Sequence, residues 1–591
     1  MTSLIERPQG PSTGSGTQAP PADIDARAPR RRISPERISA AGTLVVIAAL
    51  AVASLADLNI SFAGLFDSWG NAQNFFARVG GLTFPPAEEL LQLTVLTVGL
   101  VLTGTVLAAA LSVPIACLAA SNTTPNAVAR AIARFIGVFT RALPDVVLAM
   151  VFVLMFSLGT LPGILAIGIH SIGMISKMFA DAIEQIDEGP RLAIRAAGGT
   201  RMQEFFSGVL PQVLPSWVAT VLHRNDINLR GSVVLGYVGV AGLGLEMSHA
   251  FKSLNYGLGL GIALVIFLLC VVMEVVSSAV RVAMLGEKDA GKGVFVRLFT
   301  ALRSPRAAQG PGNNDGSLSL SKRRRFASVD AAMRRPWTAA RVRNVSGGLV
   351  AIAVVIAGVA VSDIVWSDLL TFWVKIPEVA AQFWPPDFGN YGFPVIAGAM
   401  LDTVKIALAA CLITLVLSLG IGSLAARNVA PNAGVRGGFR LLLVVIRGIP
   451  ELILAIVLIV ITGLGAQAGT IALAFGGIGL LGKLIADSFE EVPRGPERAM
   501  TAAGATRLQR YAAATLPQGS RALIGHTFYL LDTNIRAATL LGIVGGGGVG
   551  YYLLNAGQGS NYPLVTSIVL MILVTVLIVE GIAMWMRKVF R

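Results

Sequence analysis

Asn534-Ile-Arg-Ala-Ala-Thr-Leu-Leu-Gly-Ile-Val-Gly-Gly-Gly-Gly-Val-Gly550 answers, at an offset of 306 residues (534 − 228), to Asn228-Leu-Arg-Gly-Ser-Val-Val-Leu-Gly-Tyr-Val-Gly-Val-Ala-Gly-Leu-Gly244. The same offset joins Arg141-Ala-Leu-Pro144-Asp145 to Arg447-Gly-Ile-Pro450-Glu451, and Pro125-Asn126 to Pro431-Asn432. It joins Leu210-Pro211-Gln212 to Leu516-Pro517-Gln518 and Glu274 to Glu580, and it reaches back to Asp57 and Asp363. An offset that holds from Pro125 to Glu274 marks a duplicated and fused unit.

Around these words the chain is apolar. Of its 591 residues, 54% are hydrophobic and 14% charged, and the mean hydropathy is +0.71. An ordinary soluble domain carries about 25% charged residues, which argues against a soluble enzyme of this length. Runs such as Leu96–Ala120 and Leu564–Val579 exceed or approach the length of about 20 residues that a bilayer demands. Each half predicts six spans, near 38–58, 93–119, 133–158, 161–183, 213–235 and 257–282 in the first and at the same offset in the second. Hence the expected fold is an all-α membrane protein of about 12 transmembrane helices, arranged as two six-helix repeats.

Charge orients it. Arg30–Arg37, Arg130, Arg134 and Arg191–Arg201 fall on one side of these spans, together with a stretch, 286–343, holding 13 Lys/Arg against 4 Asp/Glu. Basic loops mark the cytoplasmic side, so both termini are expected inside. Six is even, so the halves are parallel, related by an axis along the membrane normal. Two such halves enclose one pathway between them. The expected domains are a disordered tail (1–36), repeat 1 (37–285), a basic cytoplasmic linker (286–343) and repeat 2 (344–591). The linker lacks the folded module and stacking aromatics that nucleic-acid binding would need, but it could meet anionic lipid.

Ionisable residues inside the spans are the candidate functional groups. Asp226, Asn228 and Arg230 recur as Asp532, Asn534 and Arg536 in span five. A charge at membrane depth normally faces a partner or water. Asp226 and Arg230 are four apart on one helical face, so they either pair with each other or serve a pathway. Arginine forks suit phosphoryl oxygens, which makes Arg230 and Arg536 the leading substrate-contact candidates. Arg141 and Arg447 precede a proline by three residues, and either line a kinked pathway helix or snorkel to the headgroups. Lys177 with Asp181, and Lys483 with Asp487, have ion-pair spacing.

Other motifs carry less. Cys117, Cys270 and Cys411 lie in apolar runs and read as core residues, and four histidines without spaced cysteines give no metal pattern. Gly286-Glu-Lys-Asp-Ala-Gly291-Lys292 has phosphate-loop spacing, but Gly293 follows where Ser or Thr should stand. Gly545–Gly550 follows a span and reads as a hairpin or a close helix contact. No catalytic constellation, metal site or cofactor is expected in this chain.

Between spans four and five each half carries a polar segment. The first reads Gly189-Pro-Arg-Leu-Ala-Ile-Arg-Ala-Ala-Gly198-Gly-Thr200-Arg201, and the second Gly495-Pro-Glu497-Arg498-Ala-Met-Thr-Ala-Ala-Gly504-Ala-Thr506-Arg507. Leu-Pro follows each glycine at a spacing of twelve (516 − 504 in the second half). This resembles the coupling loop of ABC transporter permeases. In place of the family's glutamate, six residues before the glycine, stand Leu192 and Arg498, with Glu497 one place early. Arg141-Ala-Leu-Pro-Asp-Val, His170–Glu184 and the two glycine-rich words resemble, more narrowly, phosphonate-type permeases of binding-protein-dependent importers.

That resemblance implies a type I importer fold and a translocation subunit with no ATPase site of its own. It implies two cytoplasmic ABC ATPase subunits, which hold ATP and Mg, docked on Gly198, Thr200, Arg201 and on Glu497, Arg498, Gly504, Thr506, Arg507. It further implies an extracytoplasmic substrate-binding protein, a phosphonate- or phosphate-like anion as cargo, and a place in the plasma (inner) membrane. A secondary transporter of 6+6 architecture is the alternative.

Overall fold

The structure, a computed structural model, describes residues 35–58, 60, 69–285, 339–463 and 465–589. The tail, apart from Pro35-Glu36, lies outside them, as do linker residues 286–338 and the phosphate-loop-like Gly286–Lys292. The first half forms α1 (Pro35–Asp57), α2 (Trp69–Val79), α3 (Ala87–Ala119), α4 (Ala127–Ala142), α5 (Asp145–Phe156) and α6 (Leu161–Glu184). It continues with α7 (Glu188–Ala196), α8 (Arg201–Gly236), α9 (Leu243–Lys252) and α10 (Tyr256–Leu285). The second half repeats the series as α11 (Ala339–Val361), α12 (Asp368–Phe383), α13 (Gly392–Ala425), α14 (Ala433–Gly448), α15 (Glu451–Thr462) and α16 (Ala466–Glu491). It ends with α17 (Arg494–Ala502), α18 (507–543), α19 (Val549–Gln558) and α20 (Tyr562–Val589). Each helix of the second half thus matches the helix ten numbers earlier.

Among the described residues, eight helices are long and apolar enough to cross a membrane, and two bent pairs raise the number to ten. The two expected spans that fail this test are still helical. α11 offers only the shorter apolar stretch Val345–Val361, and α18 is diluted by Arg521, His526, Asp532 and Arg536. Span three also departs from expectation. It is not a kinked helix but two helices, α4 and α5, meeting at 85°, as α14 and α15 meet at 78°. Leu143 and Ile449 are extended there (φ −78° and −80°), because a following proline excludes helical backbone from the residue before it.

Helices in lipid associate through close packing of small residues. A Cβ on Gly104 would lie 3.0 Å from the Ile164 carbonyl, and one on Gly422 2.6 Å from that of Gly482, which brings α3 onto α6 and α13 onto α16. α8 and α18 complete the two cores, where Trp217 stacks on Phe179 at 4.4 Å.

The first span of each half crosses over to the other. α1 packs on α13, with Lys405 Nζ 2.6 Å from Asp57 Oδ2, and α11 packs on α3, where Gly99 faces Gly358. The short helices that follow are exchanged in the same way. α2 lies on α15, and α12 on α5, where Lys375 Nζ donates to the Met155 carbonyl at 3.0 Å. The halves are therefore interlocked rather than two separate bundles.

Candidate translocation pathway

A cavity of about 370 Å3 lies where the halves meet, walled by α4–α5, α6 and α8 on one side and α14–α15, α16 and α18 on the other. The bends create its central geometry. A helix end leaves its last carbonyls without intrahelical donors, and Arg141 and Arg447 are the penultimate residues of α4 and α14. Arg536 Nη1 donates to the Arg141 carbonyl at 3.1 Å, and Arg230 Nη1 to the Arg447 carbonyl at 2.6 Å. Each arginine is held by a carboxylate one turn earlier: Arg230 Nη2 by Asp226 Oδ2 at 3.0 Å, Arg536 Nη2 by Asp532 Oδ2 at 2.7 Å. The two halves are thus braced to each other, symmetrically, beside the cavity.

Six of the eight candidate pathway residues line the cavity: Arg141, Arg447, Asp226, Asn228, Arg230 and Arg536. Asp532 and Asn534 are buried behind its wall. The i,i+4 pairing of Asp226 with Arg230 is present in both halves. Arg141 does not snorkel. It is 14% exposed and bonds Glu580 of the opposite half, while Arg447 Nη2 lies 3.5 Å from His223 Nδ1. Gly173 and Gly479 permit this, since a Cβ at either would clash with the arginine-bearing helix. Lys177 and Asp181 are both exposed and do not pair, and Asp487 approaches Arg440 at 3.8 Å.

The cavity also holds residues not among the candidates, namely Asp145, His170, His223, Arg224 and Glu451. Three of them have no polar counterpart of like kind: His170, His223 and Arg224 face Gly476, Tyr529 and Leu530 at the offset of 306. Reading what the halves share does not reveal what one half has alone. The signal was an arginine in a predicted span, two residues before Asp226.

The polar segments between spans four and five fold as their spacing predicts. Gly198 and Gly504 end α7 and α17 in left-handed backbone (φ +79° and +77°), where Gly199 N–H reaches the Ile194 carbonyl at 2.9 Å and Ala505 N–H that of Met500 at 3.0 Å. Thr200 and Thr506 then start α8 and α18 through reciprocal caps with Gln203 and Gln509. Arg201 is exposed, and Arg507 Nη1 donates to the Pro431 carbonyl at 2.7 Å. Glu497 points inward, accepting from Asn428 Nδ2 at 2.8 Å and Thr515 Oγ1 at 2.6 Å. Arg498 is exposed, as is Leu192 on α7.

Residues 112–284 and 418–591, together more than half of the chain, match the family described as the binding-protein-dependent transport system inner membrane component. The chain belongs to this family. It carries the permease domain twice, fused in one polypeptide, as a multi-pass membrane protein. A phosphate-import permease protein of Mycolicibacterium smegmatis is 39% identical to this permease over 512 residues, covering 87% of this chain and 86% of that one. A phosphite transport system permease protein of Stutzerimonas stutzeri is 34% identical over 226 residues, covering 37% of this permease and 82% of that protein.

Proposed function

We propose that this permease is the translocation subunit of an ATP-driven importer for phosphonate- or phosphate-like anions. The observation that carries the reading is the charge of the interface cavity, lined by Arg141, Arg224, Arg230, Arg447 and Arg536 against Asp145, Asp226 and Glu451. A wall with excess guanidinium attracts an oxyanion and repels a cation. The relatives named for phosphate and phosphite transport support the same cargo class.

In this reading both termini are cytoplasmic, and two ABC ATPases, holding ATP and Mg, dock on the exposed faces of α7 and α17. The first surface presents Leu192 of α7 with Met202 and Phe206 at the start of α8, and the second Arg498 of α17 with Leu508 at the start of α18, so the two docking surfaces are unequal. Gly198, Thr200, Gly504 and Thr506 set the angle between docking helix and span, Arg201 and Arg507 flank it, and Glu497 ties α17 to the body. A binding protein delivers the anion at the opposite membrane face. Closure of the ATPases moves α7 and α17, and the arginine braces between the halves yield as access alternates. Asn228, Asn534, Asp226 and Asp532 hold the pathway helices and their arginines in place.

The test is purification from native membranes in mild detergent, followed by uptake of phosphate and methylphosphonate into proteoliposomes. Two ATPases per chain and ATP-dependent uptake are expected. Uptake by the chain alone under an ion gradient would overturn the reading in favour of a secondary transporter.

A further inference from the structure

We propose that the anion is held off the symmetry axis, on the first half of the permease, by the guanidinium of Arg224. This rests on the importer reading of the cavity and assigns a residue within it.

Most of the cavity's other arginines are engaged. Arg230, Arg536 and Arg141 each pair with a carboxylate, and Arg447 with His223. Arg224 lines the same cavity, is 8% exposed, and forms no ion pair among the described residues. A buried cation whose neighbouring carboxylate, Asp145, acts on it only from beyond ion-pair distance is costly, and it persists where a further negative charge is supplied. Its side chain is nevertheless fixed. Arg224 Nε donates to Ser171 Oγ at 3.0 Å, and Ser171 Oγ donates to Asn228 Oδ1 at 3.1 Å. Asn228 Nδ2 donates to Thr105 Oγ1 at 2.9 Å, and that hydroxyl to the Val101 carbonyl at 2.7 Å. Every member uses its donors and acceptors consistently, so the chain ends on the backbone of α3 and positions the guanidinium from behind. Only Nε is used. Both Nη groups are left for a ligand, in the fork that matches two phosphoryl oxygens.

The second half is the control built into the molecule. At the offset of 306, Arg224, Ser171 and Thr105 become Leu530, Gly477 and Cys411. Asn534 remains, buried and with its Nδ2 unpartnered. Leu530 is buried in its place, so the helix packing does not require an arginine there. What the first half adds is a positioned, unpaired cation.

The decisive experiment uses the complete complex in detergent without binding protein, and reads the rise in melting temperature on adding inorganic phosphate or methylphosphonate. The wild type is expected to gain stability with either anion, and Arg224→Leu, the second half's own residue, to lose that gain. Arg224→Lys should retain part of it, and Ser171→Ala should weaken it while leaving the charge in place. In proteoliposomes with binding protein and ATP, Arg224→Leu should slow phosphate uptake about ten- to hundredfold, the worth of a charged hydrogen bond. An anion-dependent gain in Arg224→Leu equal to that of the wild type would overturn the assignment and leave the importer reading standing. A wild type that responds to neither anion and carries neither would overturn both.

Discussion

Arg230 and Arg536 do the same work in the two halves, whereas Arg224 and Leu530, six residues earlier on the same helices, share only their place in the packing. The comparison separates what the pseudo-symmetric frame needs from what one wall has added. Both halves break a helix before proline, and both offer the freed carbonyl to the opposite arginine. Only the first half builds a polar chain behind an unpaired cation. A second exchange runs beside it. His170 stands near Asp145 in the first wall, while in the second the longer Glu451 fills the room above Gly476, where a Cβ would meet its Cγ at 2.2 Å.

If the braces are the shared frame, removing one should have the largest effect. Arg230→Leu leaves Asp226, 1% exposed, without its partner, and should cost about 3–5 kcal/mol in chemical unfolding of the purified complex. Arg536→Leu should cost less, since Asp532 is 12% exposed, and Asp226→Asn should recover most of the Arg230→Leu loss. Equal losses in the two halves would mean that burial of the carboxylate is not what sets the cost.

The segments around α7 and α17 sharpen the contrast next. Arg191 and Glu204 in the first half face Glu497 and Arg510 at the offset of 306, a reversal of charge. Arg191 keeps Glu204 at 3.1 Å in addition to Glu188, whereas Glu497 ties α17 to Asn428 and Thr515, and Arg510 Nη1 donates to Thr501 of α17 at 3.1 Å. Glu497→Ala should release α17 by about 1.5–3 kcal/mol, seen as faster amide exchange in that helix. Glu188→Ala should speed exchange in α7 by less.

The exchange of His170 and Asp145 for Gly476 and Glu451 is open to a cycle of variants. Gly476→Ala should cost about 1–3 kcal/mol by overpacking, and far less in the presence of Glu451→Asp. Additive effects would show that the two positions do not share one space. The smallest effect is expected at the exchanged helix α12. Lys375→Met removes one hydrogen bond to the Met155 carbonyl, worth about 0.5–1.5 kcal/mol, and should raise protease access to α12 without altering α2.

The constant offset made the duplicated architecture, the parallel orientation and the Gly198 and Gly504 breaks legible in the sequence. Local chemistry suffices for these. A proline forbids helix before it, glycine alone enters left-handed backbone cheaply, and apolar runs of a given length can do little but span lipid. The i,i+4 pairing of Asp226 with Arg230 was readable for the same reason. The span at α18 stood out less by composition, because it carries Arg521, His526, Asp532 and Arg536, the last of which faces a cavity that composition cannot see.

Residues far apart in the chain had to be brought together by the fold before the rest could be read. The crossing of α1 onto α13 and α11 onto α3 depends on which helix surfaces fit, and apolar helices in lipid all look alike by composition. Arg141 meets Glu580, and Arg224 meets Ser171, across separations of 439 and 53 residues that no periodicity encodes. The sequence alone determined a doubled, membrane-spanning chain with charges at fixed depths. Packing decided which of those charges neutralise one another and which are left facing the cavity, because a partner within hydrogen-bond distance is a property of three-dimensional contact, not of spacing.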